Sequence, residues 1–241
     1  MIQVFKLKFQ TPNGFRIGSK AERNLLTQLR IDTETVLIPA SSWKGVFRRV
    51  SEIVLNGSER NAVKDGEVDA IIKDAKDLIK TDLRFRKIAE SHELIEVNQE
   101  VKDAKSLAEA YKEYSSPIER LYGGKYFAGY ITISDTVIQD AELEQRAHVT
   151  IDRKSRKNLE RHLYAEEIVN VNSIKVNVIV RGEFELWKST LKFLRDIGYF
   201  IGAGKSRGIG YIKLDDKESM YAVIDKLKDR PKFDILSKYL V

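Results

Sequence analysis

Two runs of alternating residues, each followed by an amphipathic helix, constrain what this chain can fold into more than any other feature. In MIQVFKLKFQ, residues 1–10, Phe5, Leu7 and Phe9 fall on one side and Lys6 and Lys8 on the other, the period of a half-buried strand. IKVNVIVRGEF repeats it, with Ile174, Val176, Val178 and Val180 set against Lys175, Asn177 and Arg181. After the first run come the turn residues of TPNGFRIGS, read as opening a long loop, and then LIPASSWKGVFRRVSEIVL. There Trp43, Val46, Phe47, Val50, Ile53 and Val54 have helical spacing, and Ser41 and Ser42 are N-cap candidates. After the second run comes LWKSTLKFLRDIG, where Gly198 is a natural helix stop. Strand character recurs at KYFAGYITISDT and at 208–214, and a last helix is expected near 217–228. Each half therefore holds strand, helix and strand, which predicts an α+β chain of one or two ferredoxin-like units.

Residues 58–116 interrupt this pattern with charged, amphipathic stretches such as VDAIIKDAKDLIK and VKDAKSLAEAYKEY, read as a helical insertion. The segment carries 11 basic and 14 acidic residues, leaving 31 and 22 in the rest of the chain. The net charge of +6 is thus concentrated outside the insertion, and its sign suits a polyanionic partner. Abundant lysine, arginine and glutamate also fit a thermophile, which accounts for the total but not the sign.

With no cysteine in 241 residues, disulfides, thiolate catalysis and cysteine-based zinc sites are excluded. His92, His148 and His162 lack the spacing of helical metal ligands, so they are read as surface or structural and no metal or cofactor is expected. No run approaches the roughly 18 apolar residues of a membrane span, and the chain opens on a strand pattern rather than a leader, so a cytoplasmic protein is expected.

IGAGKSRGIG, residues 201–210, has the composition of a phosphate-binding loop. The mononucleotide pattern needs a glycine five residues before the Gly-Lys-Ser, but Tyr199 holds that place and Gly198 is one position too early. A β-branched and aromatic run follows where that motif needs a helix. A nucleoside triphosphate is therefore disfavoured. Two readings remain: a loop whose glycines let backbone amides approach a polynucleotide phosphate, or a glycine turn required only for packing. HVTIDRKSRKNLERHLYAEEIV, residues 148–169, places Arg153, Lys154, Arg156, Lys157 and Arg161 within nine positions. It is either a solvated hairpin tip or a finger that contacts nucleic acid.

Three stretches taken in order resemble the RAMP superfamily of CRISPR-Cas proteins, especially the backbone subunits of type III effector complexes. FRIGS followed by IPASSWKGVFR is similar to that family's His-Ile-Gly and Ile-Pro-Gly-Ser-Ser-Leu-Lys-Gly-x-x-Arg elements, HVTIDRKSRKNLERHLYAEEIV to its thumb segment, and GAGKSRGIGYIKL to its C-terminal glycine-rich loop. The resemblance implies a single ferredoxin-like (RRM-like) RAMP domain over 1–241. Its core would be drawn from 1–57, 117–147 and 164–241, with the helical insertion at 58–116 and a β-hairpin thumb at 148–163. It also implies a filament subunit that holds crRNA, positions target RNA and touches sister RAMP subunits. The RNA contacts expected on this basis and on residue type are Arg16, Ser41, Ser42, Lys44, Arg48, Gly202, Gly204, Lys205, Ser206, Arg207 and Gly208. In the thumb, Ile151 is expected to wedge between bases while Arg153 and Arg156 hold phosphates. Trp43 suits either base stacking or the core.

Target-cleaving members of that family carry a catalytic aspartate between the first two elements. The matching place here is about Leu26 or Thr27, and Arg16 stands where the family has histidine. The acids that a shifted loop would bring in are Glu22, Asp32 and Glu34. A non-cleaving RNA-holding subunit is the expectation, with an endoribonuclease acting on target or guide RNA and a protein-interaction capping subunit as alternatives.

Overall fold

A computed structural model of the chain describes residues 1–22, 25–32, 34–57, 63, 65–96, 98, 100–151, 158–225 and 230–241. The chain forms two compact units, one from Met1–Val50, Ile133–Ile179 and Lys188–Val241, the other from Ser51–Thr132 and Val180–Trp187.

The first unit is built on β1 (Ile2–Gln10). Its odd-numbered side chains, Phe5, Leu7 and Phe9, are fully buried, as the alternation requires. The chain continues through β2 (Gly18–Glu22), β3 (Leu25–Gln28), β4 (Val36–Ile38) and helix α1 (Ala40–Val54). After the second unit's helices α2 (Val68–Thr81), α3 (Leu83–Ser91), α4 (Ala104–Ser115) and α5 (Pro117–Tyr122), it returns as β5 (Ile131–Ile133), β6 (Thr136–Ile138), β7 (Glu142–Ile151), β8 (Asn158–Asn170) and β9 (Ser173–Val180). Helix α6 (Phe184–Asp196), β10 (Tyr199–Phe200), β11 (Tyr211–Leu214), β12 (Met220–Ile224), β13 (Asp234–Ile235) and α7 (Leu236–Tyr239) complete it.

In the main sheet β1 is central. It pairs antiparallel with β11 and with β12, and also with β9, which has β5 beyond it. The succession β1, α1, β5, β9, α6, β11 is the ferredoxin-like arrangement that the two strand-helix-strand halves predicted. Trp43, Val46, Phe47 and Val50 of α1 and Leu191 and Leu194 of α6 are buried, as are Ile174, Val176 and Val178 of β9. Each such burial contributes about 1.5–3 kcal/mol. Trp43 settles into this core, its ring 5.1 Å from Phe9 and its indole N–H donating to Thr136 Oγ1 at 3.0 Å. It is a packing residue, which closes the base-stacking reading.

Two expectations are corrected. The last helix near 217–228 is instead strand β12, paired with β1 from Ile2↔Ile224 to Lys6↔Met220. Met220, Val223 and Ile224 have helical spacing, but pairing satisfies an edge of β1 whose amides and carbonyls would otherwise lack partners. The stretch read as a loop between β1 and α1 contains β2, β3 and β4; β3 runs parallel to β8 in a second sheet of order β2-β3-β8-β7, and β4 pairs with β6.

The second unit has its own core of Ala75, Ile79, Phe85, Leu107, Ala110, Tyr114 and neighbours. Asp82 caps α3 by accepting the amides of Arg84 at 2.8 Å and Phe85 at 3.0 Å, and it also takes the Tyr114 hydroxyl at 2.8 Å. Burial pushes the Asp82 carboxyl up, but these bonds outweigh it and hold the group below its ordinary value. Burial, and after it the same carboxylate, pushes the Tyr114 phenol above its ordinary value.

Candidate nucleic-acid interface

The site lies wholly within the first unit, where the loop after β1 meets the glycine-rich loop. Phe15 bridges Val169 of β8, and the next carbonyls are taken by the glycine-rich segment: the Ala203 amide donates to Arg16 O and the Gly210 amide to Gly14 O, both at 2.8 Å. Gly202 (φ 76°) and Gly210 (φ 81°) are left-handed, and a Cβ on either would run into a carbonyl, Arg16 O or Ile201 O. Only glycine fits these two places.

Between them, Gly204 and Gly208 flank a single 3-10 turn of Lys205, Ser206 and Arg207. The amides of Arg207, Gly208 and Ile209 bond back to Gly204 O and Lys205 O. Close backbone packing accounts for the glycine at 202, and the Gly208 amide is bonded to Lys205 O. What the turn presents outward is side chains: Lys205, Ser206 and Arg207 are exposed, with Lys205 Nζ 5.6 Å from the Tyr199 ring centre.

Residues not foreseen as functional organise the rest. Glu166 of β8 is fully buried, yet Arg16 Nε lies 3.2 Å from its carboxylate, Arg207 Nη2 is 3.1 Å from both oxygens, and His148 Nε2 of β7 is 2.6 Å away. The His148 approach is a charge contact when the ring is protonated; Nε2 has no hydrogen-bond partner there. The ring stacks on Tyr164 at 5.2 Å, its register partner. On the opposite face of the same strand, Glu167 accepts the Gln28 amide at 3.0 Å and pairs with Arg30. Burial pushes Glu167 up, but Arg30 and the Gln28 amide prevail and hold it below its ordinary value. Two adjacent acids inside the apolar run YAEEIV were the sequence signal for these anchors.

The remaining candidates are dispersed. Arg16 is buried rather than displayed, because its guanidinium is held against Glu166. Ser41 and Ser42 do not cap α1: the helix already begins at Ala40, whose amide donates to Asp135 Oδ1 at 2.6 Å, while the Ser42 and Trp43 amides turn back to Pro39 O. A protein carboxylate thus occupies the helix start. Ser41 and Lys44 are exposed on the first turns, and Ser42 and Arg48 are half-buried. In the hairpin, β7 and β8 pair from Glu142↔Asn170 to Ile151↔Asn158. Arg153 and Arg156 lie outside the described residues, as does the side chain of Ile151.

Of the candidate acids, Glu22 ends β2 with its side chain outside the described set, and Glu34 is exposed. Asp32 closes a turn, accepting the amides of Glu34 at 2.9 Å and Thr35 at 2.8 Å, which hold it below its ordinary value. Among the described residues no three acids or histidines converge as a metal site. Nor does any described helix have the length and apolarity to cross a membrane.

A ferredoxin-like sheet bearing a long hairpin and a basic glycine-bracketed turn places the chain among proteins with RNA-recognition-type folds. The model of the RAMP superfamily matches residues 6–213, and the chain belongs to that family. Membership supports a CRISPR-associated, RNA-binding role and participation in a complex. No curated protein matches the chain.

Proposed function

We propose that this protein is a guide-RNA-binding backbone subunit of a type III CRISPR-Cas effector complex, holding crRNA phosphates and positioning target RNA beside sister subunits. The observation that carries the reading is the exposed Lys205-Ser206-Arg207 turn, joined through Arg207 and Glu166 to the base of the β7–β8 hairpin. Two cations and a hydroxyl on a backbone-braced turn suit phosphate oxygens, which fix RNA without reading its bases. The hairpin is the element on which the thumb contacts at Ile151, Arg153 and Arg156 are proposed. Asp32, one of the three acids that the nuclease alternative could use, is bonded as a turn cap.

The test is binding of the purified chain to a labelled single-stranded RNA across a salt series with magnesium, followed by a denaturing gel. The expected result is salt-sensitive binding of intact RNA. Lys205→Ala with Arg207→Ala should weaken binding for all sequences and reduce the salt slope by roughly one to two charge equivalents. Cut RNA would replace the proposal with an endoribonuclease, and an absence of binding would replace it with a protein-interaction subunit.

A further inference from the structure

We infer that Glu166 is a positioning residue for phosphate binding: it holds Arg207 by one end of the guanidinium and turns the rest of the fork outward. The inference rests on the RNA-binding reading above. Arg207 spends a single nitrogen, Nη2, on both carboxylate oxygens, at 3.1 Å each. Its other N–H groups are not needed to satisfy Glu166. The Glu166 side chain has no solvent exposure, whereas that of Arg207 is 38% exposed. An incoming phosphate can therefore meet the arginine without meeting the carboxylate.

Charge and geometry act together here. Arg16 Nε takes Glu166 Oε2 from the loop after β1, so two arginines face one carboxylate and the locality stays positive. Because the fork is already held, RNA does not have to immobilise a long side chain on binding. Glu166 lies on β8, so one carboxylate sets the glycine-rich turn against the hairpin base.

A simple charge count makes the opposite prediction, which allows a clean test. Glu166→Gln keeps the shape and removes a negative charge, so electrostatics alone predicts tighter RNA binding. Positioning predicts weaker binding, by roughly two- to tenfold, the cost of immobilising one long side chain. The salt slope should fall by about one charge equivalent. Arg207→Ala should add no further loss in the Glu166→Gln background, because the two residues act as one unit.

Arg207→Lys supplies a readout that survives if Glu166→Gln does not fold. It keeps the charge but lacks the fork, so it should bind RNA as weakly as Arg207→Ala. Folding of every variant is checked by its thermal melt. Binding by Arg207→Lys equal to wild type, or tighter binding by a folded Glu166→Gln, would overturn the inference while leaving the RNA-binding reading intact. Failure of the wild-type chain to bind RNA would overturn both.

Discussion

Glu166 and Glu167 occupy consecutive positions of one strand, so their side chains leave on opposite faces, and each is buried against arginine. Neither is placed there by local preference, since buried carboxylates persist only when paired and hydrogen-bonded. Glu167 makes the dependence on pH explicit. Its folded carboxyl lies below the ordinary value, so its contribution is present above the unfolded pKa of about 4.3 and is lost as pH falls through the folded value. Glu167→Gln removes that charge and leaves Arg30 without its partner. At pH 7 it should cost about 1–3 kcal/mol, measured by denaturant unfolding. At pH 3 the difference from wild type should shrink. An equal difference at both pH values would assign the effect to packing.

Elements were recognisable to the extent that their patterns were local. The alternation in β1 and β9, the stripe of α1 and the stop of α6 at Gly198 (φ 79°) all lie where the sequence placed them. The caps divide instructively. Asp82 and Asp103 serve helices that begin immediately after them, whereas α1 takes its cap from Asp135, 95 residues away in sequence. No local pattern can announce such a partner. Asp82→Ala should destabilise the second unit by about 1–2 kcal/mol, because it removes an N-cap and the acceptor of the Tyr114 hydroxyl. A melt followed by near-ultraviolet tyrosine signals would register the loss. An unchanged melt would mean that water replaces both bonds.

For the whole molecule, the charge distribution is the property that bears most directly on function. The net +6 arises outside residues 58–116, so RNA association should be governed by the first unit. Ultraviolet cross-linking of bound single-stranded RNA, read by mass spectrometry, should return peptides from 1–50, 133–179 and 188–241, with few from 65–132. Dominant cross-links within α2–α4 would place the RNA surface on the second unit instead.

The sequence by itself determined the strands and helices with clear periods, the absence of thiol chemistry and the sign of the charge. It also carried the ordered motifs that bring the chain into the RAMP superfamily. Tertiary structure decided where those motif residues stand and what they touch. It turned Arg16 inward onto Glu166, assigned Gly202 and Gly210 to backbone contact, left Arg207 half outside, and drew 220–224 into the sheet. The reason is physical. Periodicity reports which face of an element is apolar, but the partner of a buried charge or an unpaired strand edge is chosen by whatever distant segment the fold delivers to it.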